Sequence, residues 1–356
     1  MTGRVSQDGF VRLGLADIIP YIKGVTACHP LLDQPTPLQY LDRLSDRLGI
    51  ELYVKRDDLA GPSFGGNKTR QLQYYFGDAL QQRADTILIT GAVQSNYVRL
   101  AAAIANALGL TAIVQLEHRV DTDSQTYAQS GNVLLNQLLG AQILTYPVGE
   151  DEAGADRALE DKADELRSAG WRPYVIHLGE GHPPLGALGY VDAAREILTQ
   201  RDDFDAFVVA SGSGATHAGL LAGLKGEGHG AHVFGSCVRR AADLQALRIA
   251  RLLTRLAPLY PGASKVQTED INIWGGALAP GYGKVGPAAM EAMQLMAREA
   301  GLILDPVYTA KAFAAVPGLL KEGVLTPGQR VCFVHTGGLA STFAYQDVLS
   351  KLMSDN

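Results

Sequence analysis

Cysteine is scarce in this sequence, and the few cysteines lie far apart. The chain has three of them, Cys28, Cys237 and Cys332, and none belongs to a C-x-x-C pair. This spacing predicts neither a disulfide framework nor a cysteine-bound zinc site, and it fits a reducing cytoplasm. The eight histidines are scattered, and we interpret the closest pair, His229 and His232, as structural. We therefore expect no metal site.

Basic runs and long apolar runs are also lacking. The net charge is −6, and the sequence has no run of Lys and Arg and no basic patch with interleaved aromatic residues. This argues against nucleic acid as a partner. The most apolar stretch, 100–116, is interrupted by Asn106, Gly109 and Thr111, and residues 1–9 contain no apolar segment. We therefore expect neither a membrane span nor a signal peptide, and we predict a cytoplasmic protein without a membrane partner.

The chain does have length, apolar content and a regular alternation of strand and helix signals. Its 356 residues, 47% of them hydrophobic, are enough for two domains with large cores. The predicted strands are 51–55, 86–90, 111–116, 142–145, 174–177, 206–210, 231–237 and 331–335. Helical patterns separate most of them, which predicts an α/β fold of parallel sheets with crossover helices. Ligands bind such sheets beyond the carboxyl ends of the strands, so the residues that follow each strand are candidates for a binding site.

A lysine follows a pair of glycines in the segment 65–70, which reads Gly-Gly-Asn-Lys-Thr-Arg. The glycines allow a tight turn, and the Asn67 side chain could accept hydrogen bonds from the first N–H groups of a helix that begins near Lys68. An amine held there, partly desolvated, would have a lowered pKa and could form a Schiff base. We interpret Lys68 as the reactive amine of a pyridoxal phosphate (PLP) enzyme. The alternative is a glycine turn before a surface helix with an ordinary solvated lysine.

A glycine- and hydroxyl-rich turn, 211–217, follows the strand at 206–210. Backbone N–H groups at a helix start bind anions, and the hydroxyls of Ser213 and Thr216 could assist, which would suit a phosphate monoester. A dinucleotide fold competes with this interpretation, because Gly212-x-Gly214 begins the G-x-G-x-x-G fingerprint. Its third glycine is replaced by His217, and Arg239–Arg240 stand where an acid is expected. An oxidoreductase that binds NADP therefore stays open, as does a purely structural turn.

Two further strand ends carry polar groups. The segment 91–96 follows the strand at 86–90 and predicts a second anion site, for a carboxylate, although Ser95 could serve only as an N-cap. The segment 335–338 follows the last strand and places the hydroxyl of Thr336 against whatever the sheet binds. Tyr282 and Tyr308 add two phenols from loops.

Taken together, these segments resemble the fold-type II PLP enzymes, the family that contains D-cysteine desulfhydrase, 1-aminocyclopropane-1-carboxylate (ACC) deaminase and L-cysteate sulfo-lyase. The likeness covers nearly the whole chain and rests on segments that occur in the same order, 51–58, 65–68, 94–96, 186–190, 211–219, 280–283, 304–308 and 335–338. It implies a tryptophan synthase β-like fold of two open, twisted, mostly parallel sheets flanked by helices. It also implies a small domain, 71–181, inserted in a large PLP-binding domain, 1–70 and 182–356, and a homodimer.

The resemblance assigns roles to the candidate residues. Lys68 would hold PLP as a Schiff base, and Ser95 and Asn96 would lie by the substrate carboxylate and the ring hydroxyl. The remaining assignments place the phosphate at Ser213, Gly214, Ala215 and Thr216, the pyridine nitrogen at Thr336, and a small amino-acid substrate against Tyr97, Tyr282 and Tyr308. Lys68, Ser95, Tyr282 and Tyr308 would be catalytic.

The choice of reaction within the family depends on the ring nitrogen. ACC deaminases carry Glu and Leu where this chain has Thr309 and Thr336, as the desulfhydrases do. A hydroxyl leaves the ring largely neutral, which disfavours strong carbanion stabilisation and favours substrates whose β-group departs readily. This implies β-elimination, with Lys68 taking the α-proton, and a D-cysteine desulfhydrase-like carbon–sulfur lyase.

Departures from the family pattern leave alternatives open. Gln71 replaces a second lysine, Tyr97 replaces a usual His or Gln, the loop 178–184 differs, and Gly214-Ala215 stand where Ala-Gly is expected. L-Cysteate sulfo-lyase and an ACC deaminase-like enzyme are the alternatives within the family. A basic pocket would favour the sulfonate, and its candidates are Arg99, Arg239 and Arg240. A non-catalytic binding protein is the alternative from another class.

Overall fold

The computed structural model describes residues 27–179 and 181–354. Residues 1–9, from which we predicted the lack of a signal peptide, lie outside this range, as does Glu180 of the loop 178–184. In the part of the chain that is described, no helix is both long and apolar enough to cross a membrane.

Six strands form the first sheet. They are β1 (Leu38–Tyr40), β2 (Glu51–Lys55), β7 (Ala206–Ser211), β8 (His232–Cys237), β9 (Asn272–Trp274) and β10 (Arg330–Val334), in the order β1-β2-β10-β7-β8-β9. All neighbours pair in parallel except β1 and β2, which are antiparallel. The carboxyl ends of five strands therefore point to one edge.

Four parallel strands form the second sheet. They are β3 (Thr86–Ala92), β4 (Thr111–Glu117), β5 (Gln142–Tyr146) and β6 (Pro173–Ile176), in the order β5-β4-β3-β6. Every residue of β3 is buried. A continuously buried strand of this kind fits the centre of a parallel sheet that helices cover on both faces.

Fourteen helices in the described residues pack around the two sheets. They are α1 (Asp42–Leu48), α2 (Asn67–Gln81), α3 (Asn96–Ala107), α4 (Gln125–Gln129), α5 (Asn132–Leu138), α6 (Glu152–Ser168), α7 (Leu185–Gln200), α8 (Ala215–Gly226), α9 (Ala242–Leu256), α10 (Pro287–Ala300), α11 (Thr309–Phe313), α12 (Ala315–Lys321), α13 (Leu339–Ala344) and α14 (Gln346–Ser354). Short 3-10 turns lie at Asp57–Leu59, Pro261–Lys265 and Thr268–Asp270. The predicted α/β architecture of two mostly parallel sheets flanked by helices is confirmed. The strands of the second sheet all fall within 71–181, but the assignment of that range to a separate domain stays a prediction.

Helices α2, α7 and α8 pack closely because glycines lie at their crossings. A Cβ atom on Gly189 of α7 would overlap the carbonyl of Arg70 in α2, and one on Gly219 of α8 would overlap the carbonyl of Ala187 in α7. The three helices thus form one packed layer. This layer carries both the lysine segment and the turn at 211–217.

A buried ionic network fixes the first turn of α2. Arg70 donates hydrogen bonds to Asp57 and to Glu196 of α7, and Glu196 also accepts from Lys55 of β2. The four side chains are at most 2% exposed. Removing one member of such a network leaves uncompensated buried charge. Because Arg70 lies two residues after Lys68, the network holds the lysine segment in place.

Candidate active site

A cleft lies where the carboxyl ends of β3, β4, β7 and β10 converge. It holds about 820 Å³ of empty space, open water included. All predicted site residues except Ala215 line it, namely Lys68, Ser95, Asn96, Tyr97, Ser213, Gly214, Thr216, Tyr282, Tyr308 and Thr336. Ala215 is the first residue of α8 and lies directly behind Gly214. The residues that we predicted from their positions after strand ends therefore lie close together in the structure.

Lys68 lies in the first turn of α2. The turn before it needs glycine, because Gly65 and Gly66 have φ of 59° and 126° and a Cβ on Gly65 would lie 2.5 Å from the Asp58 carbonyl. The amine Nζ donates to Gln71 Oε1 at 3.3 Å and lies 5.1 Å above the ring of Tyr97. Burial lowers the pKa of the Lys68 amine to about 8. A larger neutral, nucleophilic fraction is therefore present near neutral pH than for a solvated lysine.

The predicted role of Asn67 as a helix cap is wrong. Gly66 is the N-cap residue of α2, and Asn67 already belongs to the helix. The Asn67 amide instead donates to Thr216 Oγ1 at 2.8 Å, and Gln71 Nε2 donates to the same oxygen at 2.7 Å. Gln71, the departure from the family's lysine, thus connects the Lys68 amine to the turn at 211–217.

The turn between β7 and α8 exposes the start of a helix. Gly214 is the N-cap residue with φ of 100°, and no side chain caps the helix there. The φ of Gly214 favours glycine, and a Cβ there would lie 2.5 Å from the end of the Leu252 side chain, which would have to move. The first N–H groups of α8 and the hydroxyls of Ser213 and Thr216 are the groups a phosphate needs.

The arginines behind this turn are paired. Arg239 and Arg240 both bind Glu152, and Arg248 donates to Glu152 and to the carbonyl of Ser213. Because Glu152 holds Arg239 and Arg240, they do not form the open pair that a 2′-phosphate would need, which disfavours the NADP interpretation.

The second predicted anion site is the start of α3. Ser95 caps this helix, its Oγ accepting from Val98 N at 3.3 Å, and it also lines the cleft. Asn96 Oδ1 accepts from Asn132 Nδ2 at 2.9 Å. This bond orients the amide, so its N–H donors are left for a ligand in the cleft. Ser95 is therefore a helix cap that also faces the cleft, and its role in ligand binding stays a prediction.

Asn132 and Arg99 support Asn96 and were not identified as supports from the sequence. Arg99 Nε donates to Asn132 Oδ1 at 2.9 Å, and Gln94 Oε1 accepts from the backbone of Asn132. Arg99 has no exposed surface and does not line the cleft. The prediction that Arg99 could bind a sulfonate is therefore disfavoured by its burial.

The hydroxyl groups of Tyr282 and Tyr308 form a pair in the cleft. Tyr282 and Tyr308 are joined through their hydroxyls at 2.6 Å. Burial raises the pKa of Tyr308 well above its usual value, and the neighbouring Tyr282 raises it further, so Tyr308 stays protonated. Lys311 holds the Tyr282 loop by donating to the carbonyls of Leu278 and Gly281, at 3.0 and 2.6 Å.

Thr336 and Thr309 have different surroundings. Thr336 lines the cleft, and its carbonyl accepts from Asn67 N at 3.1 Å, so it lies beside the lysine segment. The Thr309 hydroxyl donates to Asp305 Oδ1 at 2.8 Å and is fully buried. Of the two threonines used to predict the reaction, only Thr336 is therefore available to a ligand.

Arg119 is a cleft residue that the sequence analysis missed. It follows β4, the neighbour of β3, and its Nε and Nη2 donate to Glu117 Oε2 at 2.9 and 2.7 Å. Glu117 in turn accepts from Thr90 at 2.8 Å. The end of β4 satisfies the same strand-end rule, but it carries no glycine or hydroxyl that would have drawn attention to it.

The residues present fit PLP. The cleft offers an amine with a lowered pKa, an uncapped helix start with two hydroxyls, an oriented amide and a hydroxyl at the end of β10. These are the groups that an aldehyde, a phosphate, a ring hydroxyl and a pyridine nitrogen require. Within the described ranges, no cluster of three or more His, Cys, Asp or Glu side chains could hold a metal ion.

Comparisons with known proteins show the family to which this chain is similar. The family model for pyridoxal-phosphate dependent enzymes matches residues 30–337. D-cysteine desulfhydrases of Salmonella schwarzengrund and Salmonella typhi are 41% identical over 318 residues, which is 88% of this chain and 95% of each relative. A solved structure of an ACC deaminase homologue superimposes with a TM-score of 0.81 at 35% identity, over 92% of this chain and 96% of that one. Threonine deaminase isoform 2 of Solanum lycopersicum, at 16% identity and a TM-score of 0.63 over 91% and 84%, shares the fold.

Proposed function

Since this chain belongs to the pyridoxal-phosphate dependent enzymes, we propose that it is a β-eliminating carbon–sulfur lyase, similar to D-cysteine desulfhydrase. The reaction would convert D-cysteine to pyruvate, ammonia and hydrogen sulfide. The observation that carries the proposal is the position of the Lys68 amine, 3.3 Å from Gln71, which itself binds Thr216 of the anion-binding turn. A base and a phosphate site are thereby held together across the cleft.

The cofactor contacts follow from the same geometry. Ser213, Gly214, Ala215 and Thr216 would hold the phosphate, Asn96 the ring hydroxyl and Thr336 the pyridine nitrogen. When bound, PLP supplies an electron sink for negative charge at the substrate Cα. The described residues that line the cleft include no Asp or Glu. A hydroxyl rather than a carboxylate at the ring nitrogen supports elimination of a good leaving group over ACC deaminase chemistry.

The chain's own residues account for the proton transfers. Lys68, with a pKa of about 8, removes the α-proton in its neutral form. Ser95 and the start of α3 bind the substrate carboxylate. Tyr308 is protonated and its hydroxyl is linked to that of Tyr282, so the pair can donate a hydrogen bond to the departing sulfur. Tyr97 lies under the Lys68 amine and limits its movement.

We also propose that the enzyme acts on a small amino acid, lies in the cytoplasm and forms a homodimer, with 71–181 as its small domain. These proposals rest on the family resemblance. Light scattering of the purified protein measures the assembly state directly.

Spectroscopy and product analysis test the proposed function. The purified protein should absorb at roughly 410–420 nm, and Lys68→Ala should abolish this band and pyruvate formation from D-cysteine. Lys351→Ala, an exposed lysine on α14, is the matched control and should behave as the parent protein. L-Cysteine and ACC serve as comparison substrates. Pyruvate formation that survives in Lys68→Ala would show that another group is the base.

A further inference from the structure

In the described chain, the hydroxyls of the turn at 211–217 have no cation bonded to them. Thr216 Oγ1 accepts from the neutral amides of Asn67 and Gln71, at 2.8 and 2.7 Å. No described Lys or Arg side chain donates to the hydroxyl of Ser213 or Thr216. A phosphate monoester carries about −1.5 to −2 charge at pH 7. Positive charge behind the turn would therefore help to hold a phosphate there.

Two arginines bind the turn from behind. Arg240 Nη1 donates to the carbonyl of Gly212 at 3.0 Å, and Arg248 Nε donates to the carbonyl of Ser213 at 2.7 Å. The side chains of Arg240 and Arg248 are 19% and 5% exposed, and neither lines the cleft. They therefore reach a ligand in the cleft only through the backbone of the turn.

Each of these hydrogen bonds is made to a peptide unit whose N–H points away from the arginine. The Gly212 carbonyl shares a peptide unit with Ser213 N, and the Ser213 carbonyl shares one with Gly214 N. Both units are trans, so carbonyl and N–H point in opposite directions. Within the described ranges, Ser213 N and Gly214 N donate to no acceptor. A guanidinium on the carbonyl polarises the unit and makes its free N–H a stronger donor.

A carboxylate on helix α6, which packs beside the second sheet, keeps the arginines in place. Glu152 accepts from Arg240 Nη2 at 2.7 Å and from Arg248 Nη1 at 3.1 Å. Although burial alone would raise the pKa of Glu152, the guanidiniums of Arg248, Arg239 and Arg240 lower it. Burial and the neighbouring Arg248 and Arg239 lower the pKa of Arg240 to about 10, so Arg240 is still charged near neutral pH. Three arginines against Glu150 and Glu152 leave this Glu152 cluster with a net positive charge.

We propose, building on the phosphate site of the proposed function, that Arg240 and Arg248 are positioning residues for the cofactor phosphate and act through the carbonyls of Gly212 and Ser213. They fix and strengthen the N–H donors of the turn, and they supply counter-charge without entering the cleft. Ligands that carry a phosphate therefore depend on the two arginines, whereas ligands without a phosphate do not.

Titration of the cofactor-free protein with PLP and with pyridoxal, which lacks the phosphate, tests this difference. Arg248→Gln and Arg240→Gln should each raise the Kd for PLP by about 3–10-fold, because a charge-assisted hydrogen bond to the turn is lost. In both variants the Kd for pyridoxal should change by less than about 2-fold, since no phosphate is held. Fluorescence measures both ligands, and inorganic phosphate should compete with PLP less well in the variants than in the parent protein.

Three further variants separate contact with the turn from loss of charge. Arg251→Gln removes an exposed arginine of the same helix, α9, and should leave both affinities unchanged. Arg239→Gln removes one charge from the Glu152 cluster without a hydrogen bond to the turn, so it should weaken PLP binding less. An equal loss in Arg239→Gln would overturn the proposal, because net charge alone would then set the affinity. Arg248→Lys keeps the charge and an N–H donor and should restore part of the PLP affinity.

Thr216→Val distinguishes failure of this inference from failure of the phosphate site. If Thr216→Val weakens PLP binding while both arginine variants bind PLP as the parent does, the arginines have no role in holding the phosphate. Equal weakening of PLP and pyridoxal would refute that role as well. Unaltered PLP affinity in Thr216→Val would remove the phosphate site and the inference together. Arg240→Gln, at the more exposed position, decides the question if circular dichroism shows that Arg248→Gln fails to fold.

Discussion

The helix starts at the two candidate anion sites of the cleft are built differently. At the start of α8, Gly214 is in a left-handed conformation and no side chain caps the helix, so its first N–H groups are open to a ligand. At the start of α3, Ser95 already accepts from Val98 N. An uncapped start suits an anion that stays, such as a cofactor phosphate, because the ligand completes the helix. A capped start suits an anion that comes and goes, because the helix is satisfied between turnovers.

Gly214→Ala should have the largest effect, because it damages only the uncapped helix start. The Cβ would be strained at φ of 100° and would lie 2.5 Å from Leu252. We expect a loss of about 3 kcal/mol in the free energy of unfolding and weaker PLP retention, measured by urea denaturation and by absorption after dialysis. Gly109→Ala is the control, since its φ is 71° but nothing lies near its Cβ. An equal loss in both variants would mean that the contact with Leu252 is unimportant.

Thr216→Val should have the next largest effect. It removes the oxygen that accepts from Asn67 and Gln71 and leaves both amides unpaired. PLP affinity should fall by about 10–30-fold, which fluorescence titration of the cofactor-free protein would measure. Thr199→Val, at an exposed position of α7, should leave the affinity unchanged. Unaltered PLP affinity in Thr216→Val would contradict the assignment of this turn to the phosphate.

The pH dependence of PLP uptake measures the pKa of Lys68. Burial lowers the pKa of Lys68 to about 8, so the neutral amine is present above that pH and is lost as the pH falls through it. The rate at which cofactor-free protein takes up PLP should therefore fall about 10-fold per pH unit below pH 8. Stopped-flow absorbance follows this reaction. A midpoint near 10.4, the value for a solvated lysine, would contradict the desolvated position of Lys68.

Ser95→Ala should cost the least in stability, about 1 kcal/mol, which is typical of a lost N-cap. Ser124→Ala, at the cap of α4, gives the matched measurement away from the cleft. Only Ser95→Ala should also lower kcat/KM, because of the two serines only Ser95 lines the cleft. Ser95→Asn restores a capping side chain, so if it restores both stability and activity, Ser95 acts solely as a cap.

The features that could be predicted from the sequence are those whose signals lie close together along the chain. The open helix start at 214–217 was identified correctly because its signal is local: the glycines and hydroxyls of 211–217 directly follow an apolar strand. The presence of Lys68 in the cleft was predicted from a signal that is local in the same way. The role of Asn67 was wrong because the cap depends on the backbone of Gly66, whose φ of 126° no side-chain pattern reveals.

Long-range contacts set the limit of prediction. Asn132 orients Asn96 from 36 residues away, and nothing near either residue indicates the pairing. Strands β1 and β9, of three residues each, were missed because a run that short has no detectable alternation. Helix α12 was missed because it contains Pro317, which is tolerated in the first turn of a helix. Arg119 could have been found, since it stands at a strand end like the others.

The ionic network around Arg70 has a mechanical consequence for the cleft. With its guanidinium held by Asp57 and Glu196, the first turn of α2 is fixed to the segment that follows β2 and to helix α7. We therefore expect the amine two residues earlier to be the stationary partner during catalysis. Any narrowing of the cleft around a substrate would then come from the opposite wall, which would carry Ser95 and Arg119 toward a fixed lysine.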